Sequence, residues 1–219
     1  MVPNDNAMAE RELVAWLPAG ASCMTLRIPA SKGAATLAGI PAQLAQTMAL
    51  GRNFDGEPID IVVYACTAAS ILAGPRRDAE LAAALARGTG KPVVTTAGAM
   101  VESLRHAGAR EVALVTPYGD PVNEQLKAFL SAAGIHVRKL SSLDAADAGE
   151  RTPIGTQQLA ELALETMDDE CDALFIAGSQ LPTYAILGGL AQEFRRPVLS
   201  SIQATAWRVR QELGLIASR

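Results

Sequence analysis

The sequence predicts an α/β protein made of two similar parallel-sheet halves with a ligand site between them. Three observations predict this. Short aliphatic runs alternate with longer Ala/Leu-rich stretches, the pattern of strands covered by helices. Blocks of the first half recur in the second, in the same order. Polar and small residues fall just after the aliphatic runs, where open α/β sheets bind ligands.

The strand candidates are 59–65 (IDIVVYA), 92–96 (PVVTT), 111–116 (EVALVT), 173–177 (ALFIA) and 197–200 (PVLS), with a further one at 22–29. Helical patterns cover 79–87, 99–107, 123–133, 156–167 and 204–213, and one more starts near Met8. Strand–helix alternation of this kind gives right-handed crossovers. The repeat is read from three alignments. Asp60–Cys66 matches Asp172–Gly178, Lys91–Thr96 matches Arg196–Ser201, and Pro3–Glu10 matches Pro117–Glu124. The repeat divides the chain into a first half, 1–97 with 199–219, and a second half, 98–198. One defect stands out. Pro117 follows a full strand, whereas only Met1 and Val2 precede Pro3. Either the given start lies inside the true reading frame, or the first half lacks a strand that its twin possesses, and a missing central strand exposes ladder groups and loses apolar contacts.

Composition narrows the function. Apolar residues make up 49% of the 219, enough for a large aliphatic core. With 19 basic against 23 acidic residues the net charge is −4, and no Lys/Arg cluster exceeds a pair, which argues against nucleic acid as a partner. No apolar window is long enough to span a membrane, and the start has no secretory pattern. Three distant cysteines and two histidines form neither a disulfide framework nor a metal motif. A cytoplasmic protein with no metal or cofactor is expected, and its Ala-rich helices suit a homodimer.

Cys66 ends an aliphatic strand and opens what reads as a loop of small residues, 64–70. A thiol there acts as nucleophile or proton carrier if amides lower its pKa. The alternative is a small buried hydrophobe. Tyr118, in a Pro/Gly turn after a strand, is an oxyanion donor or a buried helix-capping tyrosine. Asn6 is a ligand contact or a helix N-cap. Ser179 and Gln180 follow Gly178 and bind ligand or solvate a turn. Cys23, Cys171, His106 and His136 read as structural.

Taken together, Cys66-Thr67 after its strand, Val115-Thr-Pro-Tyr118 with Val122-Asn-Glu124, and Val2-Pro-Asn-Asp-Asn6 resemble the Asp/Glu racemase superfamily. The similarity is to the branch of maleate cis-trans isomerase and arylmalonate decarboxylase, over nearly the whole chain. The resemblance implies two four-stranded halves, an active site between them, no cofactor, and a small dicarboxylate as substrate. It implies Cys66 as catalytic cysteine and Asn6, Thr67 and Tyr118 as substrate-binding residues. Gly178 stands where the superfamily carries its second cysteine. A further substrate-binding asparagine expected near 144–149 is missing from the sequence. With one thiol, two-base racemisation is not available. Three readings follow. Cys66 adds to an unsaturated diacid and isomerises it, Cys66 protonates the enediolate left by a malonate decarboxylation, or the chain binds a small acid without catalysis.

Overall fold

The computed structural model describes residues 1–29, 38–143 and 154–217. The segment 144–149, where the sequence lacks the expected asparagine, lies outside the described residues. The second half holds a parallel four-stranded sheet of β5 (Glu111–Thr116), β6 (His136–Ser142), β7 (Ala173–Ile176) and β8 (Val198–Ser200), in the order β6-β5-β7-β8. The first half repeats this order with shorter strands. β1 (Val2–Pro3) pairs with β2 (Arg27–Ile28), and β3 (Val62–Tyr64) pairs with β4 (Val93–Thr95), all parallel. Two hydrogen bonds bridge the pairs. The Met1 amino group donates to the Val63 carbonyl at 2.8 Å, and the Ala65 N–H donates to the Met1 carbonyl at 2.9 Å. The second bond has a twin at the matched place in the other half, where the Ala177 N–H donates to the Val115 carbonyl at 2.8 Å.

The twin bonds align Met1 with Val115. β5 packs along β7 from Val112 to Val115. The matching flank of β3, Ile61–Val63, instead borders a cavity of about 400 Å³. Its walls include Met1, Phe54, Ile59 and Ile202. This is the physical form of the defect visible in the sequence.

Helices α1 (Met8–Trp16), α2 (Ile40–Gly51), α3 (Thr67–Ala73) and α4 (Pro75–Thr89) belong to the first half. After β4 the chain enters α5 (Thr96–His106); α6 (Asp120–Ser131), α7 (Thr156–Thr166), α8 (Leu187–Phe194) and α9 (Ser201–Glu212) follow. The matched blocks after β4 and β8 do the same job. The Thr95 hydroxyl accepts from Gly98 N–H at 3.0 Å to cap α5, and the Ser200 hydroxyl accepts from Gln203 N–H at 3.3 Å to cap α9. The two capped helices then pack on each other, with Thr205 and Thr96 hydroxyls 3.2 Å apart.

The strands at 111–116, 173–177 and 197–200 form where the aliphatic runs place them. Two expectations change. The segment after Cys66 is helix α3, not an open loop, because Ala and Leu at 68–73 favour a helix once the strand ends. The strand expected over 22–29 shrinks to Arg27–Ile28, and Cys23 is exposed outside it. Edge strand β6 gave little aliphatic signal because its sequence, HVRKLSS, faces partly into solvent. Among the described residues no helix is long and apolar enough to cross a membrane.

Candidate active site

The two halves meet where their central strands end. Ala65 and Cys66 follow β3, and Ala177 and Gly178 follow β7. The Ser179 hydroxyl donates to the Ala65 carbonyl at 3.0 Å and accepts from the Asn6 side-chain amide at 2.9 Å. All three residues are buried. The loops carrying Cys66 and Gly178 are thus fastened to each other, as the repeat predicts.

Asn6 serves both halves. Its Oδ1 accepts from the Ala9 N–H at 3.0 Å, capping α1, while one amide hydrogen goes to Ser179. The capping role read from the sequence is therefore filled by the side-chain oxygen, while the amide nitrogen reaches across to the second half.

Tyr118 lies in a turn that its neighbours hold rigid. The Asn123 amide donates to the Tyr118 carbonyl at 2.6 Å, and the Thr116 hydroxyl donates to Asn123 Oδ1 at 2.7 Å. This explains why Thr116 and Asn123 accompany Tyr118 in the motif: they fix its backbone. The Tyr118 and Thr67 hydroxyls are both buried, and neither has a hydrogen-bond partner outside that pair. Burial pushes the Tyr118 phenol up, the nearby Cys66 sulfur adds to this, and Thr67 pulls it back. Tyr118 is therefore a neutral hydrogen-bond donor near neutral pH. Leaving two such hydroxyls unsatisfied costs about 1–3 kcal/mol each, a cost that a ligand accepting both would remove.

Cys66 is the N-cap residue of α3 and is 5% exposed. Burial pushes its thiol pKa up. The Tyr64 hydroxyl, the Ala69 backbone N–H and the Gln43 side chain oppose that rise, while Asp5 adds to it. Tyr64 and Gln43 carried no signal in the sequence, because one reads as a core strand residue and the other as a polar position on an Ala-rich helix. Both are buried beside the sulfur, the Gln43 Nε2 donating to Cys66 Sγ at 3.2 Å.

Gly178 has φ +142°, a conformation that side-chain-bearing residues rarely adopt. A Cβ there would sit 3.0 Å from Pro117 Cγ and 3.3 Å from Leu181 Cδ1. Its N–H donates to the Ser201 hydroxyl at 2.9 Å. The glycine is required by the backbone as this chain folds it. Gln180 is exposed, in contrast to its buried neighbours. Among the described residues no group of three or more His, Cys, Asp or Glu is placed to hold a metal.

The sequence profile of the arylmalonate decarboxylase family matches residues 35–218. Maleate isomerase of Nocardia farcinica is 35% identical over 162 residues, covering 71% of this chain. Arylmalonate decarboxylase of Bordetella bronchiseptica is 28% identical over 177 residues, covering 80% of this chain and 74% of that protein. The alignment spans 64% of the length of the Nocardia enzyme, less than two thirds. In structure, the chain superposes on a cysteine-to-serine mutant of Nocardia farcinica maleate cis-trans isomerase with a covalently bound succinylcysteine intermediate. The TM-score is 0.86 at 29% identity, over 97% of this chain and 90% of that one. A liganded arylmalonate decarboxylase carrying glycine-to-cysteine and cysteine-to-serine substitutions matches with a TM-score of 0.83 at 27% identity, over 100% and 93% of the two chains. Matched along most of its length in sequence and nearly all of it in fold, with paired halves meeting at Cys66 and Gly178, the chain belongs to the arylmalonate decarboxylase family.

Proposed function

We propose that this protein is a cofactor-independent isomerase of a small unsaturated dicarboxylate of the maleate type, with Cys66 as nucleophile. The observation that carries the reading is the placement of the Cys66 sulfur beside two buried hydroxyls, Thr67 and Tyr118, that have no partner outside their own pair. Neutral donors of this kind suit a carboxylate whose charge grows during reaction.

In the proposed reaction the Cys66 thiolate forms a C–S bond to one alkene carbon. The π electrons move to the other carbon and into its carboxylate, which Thr67 and Tyr118 hold. The former double bond is now single and turns. The electron pair returns, the C–S bond breaks, and the trans diacid leaves with the thiolate regenerated. No proton is consumed, so the turn does not depend on a second thiol at Gly178. The succinylcysteine captured in a mutant of the Nocardia relative supports a covalent cysteine adduct, there with a proton added at the second carbon.

The second reading, decarboxylation of a malonate with Cys66 protonating the enediolate, is favoured by the single thiol. Incubation with maleate, followed for fumarate, and with phenylmalonate, followed for carbon dioxide, separates the two. Fumarate formation that Cys66→Ala lowers about a thousandfold or more supports isomerisation. Carbon dioxide release without fumarate overturns it, as does isomerisation that survives Cys66→Ala.

A further inference from the structure

Gln43 lies in the first turn of α2 and enters the site from an element that carries none of the residues singled out in the sequence. It is buried, and one helical turn later the Thr47 hydroxyl donates to its backbone carbonyl at 2.9 Å. The side-chain amide meets Cys66 through Nε2, while its Oε1 is buried without a hydrogen-bond partner.

A primary amide can offer either end to a neighbour. Toward a neutral thiol, a weak donor, the carbonyl end is complementary and would itself be satisfied. Toward an anionic sulfur the N–H end is complementary. Here the N–H faces the sulfur and the carbonyl goes unmatched, an arrangement that a thiolate, the stronger acceptor, satisfies better than a thiol. Charge-assisted bonds of this kind are about twice as strong as neutral ones.

We propose that Gln43 is a positioning residue that, through its side-chain N–H, aims the Cys66 sulfur for attack and stabilises the thiolate as it forms. The proposal rests on the reading of Cys66 as nucleophile and adds the group that sustains it. The need is physical. The groups facing Cys66 are the Met1 amino group just before β1, Asp5 from the loop after β1, Tyr64 from β3 and Tyr118 from the turn after β5. Asp78 of α4 acts on Tyr64 behind it. The Asp5 carboxylate opposes an anion here, and among the described residues no Lys or Arg acts on the sulfur. Neutral donors must therefore do most of the work, and Gln43 is a side chain that makes a direct hydrogen bond to it.

The test is the pH profile of iodoacetamide alkylation at Cys66, read peptide by peptide by mass spectrometry on the full chain. This separates Cys66 from the exposed Cys23. Gln43→Leu, close in volume, is expected to move the alkylation midpoint to higher pH and to slow labelling near pH 7 about tenfold, the effect of one pKa unit. Gln43→Glu, which places a like charge on the sulfur, is expected to move it further. With maleate, Gln43→Leu is expected to lower kcat with little change in KM, because the amide acts on sulfur and not on the bound diacid. Equal midpoints in the wild type and Gln43→Leu overturn the proposal. If Gln43→Leu unfolds, Gln43→Glu alone decides: an unchanged midpoint overturns it and a raised one supports it. A shifted midpoint in a protein that leaves maleate unchanged refutes the isomerase reading and leaves the Gln43–Cys66 contact standing.

Discussion

Asn6 and Ser179, 173 residues apart, are joined by a buried hydrogen bond of 2.9 Å, and Ser179 passes its own hydrogen to Ala65. This link fastens the loop that precedes Cys66 to the loop that follows Gly178. Removing either member leaves a buried polar group unmatched. Asn6→Ala also removes the acceptor that caps α1. We expect Asn6→Ala to cost about 2–4 kcal/mol and Ser179→Ala about 1–3 kcal/mol in urea unfolding. Asn6→Asp keeps the cap acceptor and loses the donor, so its cost should fall near that of Ser179→Ala. A cost for Asn6→Asp equal to that of Asn6→Ala would place the whole effect in the link to Ser179.

The hydroxyls of Tyr118 and Thr67 should trade stability against binding. Each is buried without a partner outside that pair, so Tyr118→Phe is expected to leave the melting temperature unchanged or slightly raised. The same change should weaken handling of a dicarboxylate about tenfold to a hundredfold in kcat/KM, from one lost hydrogen bond to a charged group. Thr67→Val should behave alike. A clear loss of stability in both variants would show that these hydroxyls have structural partners.

Gly178 should resist side chains. Both Gly178→Ala and Gly178→Cys place a Cβ against the Pro117 ring and Leu181 at a positive φ. A cost of about 1–3 kcal/mol is expected for each in chemical denaturation. The substitution that would add a second thiol is thus opposed by the backbone. Wild-type stability in Gly178→Ala would mean that the loop relaxes freely.

Asp78 supplies a pH test of the first half. It is buried, and its Oδ2 accepts the Thr95 hydroxyl at 2.6 Å. Burial raises its pKa, with Ser70 and Thr95 working against the rise. A raised folded-state value means that the native state holds the proton more tightly than the unfolded chain does. Stability from this group is therefore present below the unfolded carboxylate value of about 4 and is lost as pH rises through the folded value. Asp78→Asn carries no such loss. The melting temperature of the variant relative to wild type should rise from about pH 4 toward neutrality and then level off. A difference that does not vary with pH would contradict this.

Much of the architecture was written locally. Aliphatic runs such as EVALVT and ALFIA form strands because both faces must be buried, and the repeat placed their ends together. Cys66 and Tyr118 could be picked out because each follows such a run, and Asn6 because its segment matches the one that carries Tyr118. Even the shortened first strand could be read by comparing Pro3 with Pro117. The sequence by itself thus determined the α/β class, the doubling and where the two halves face each other, since these depend on short-range periodicity and internal likeness. Only the tertiary structure decided that Gln43 and Tyr64 flank the sulfur, that Asn6 reaches Ser179, and that Pro117 and Leu181 crowd Gly178. Those contacts join residues far apart in the chain, and burial and hydrogen-bond direction arise only when separate elements pack, so no local pattern encodes them.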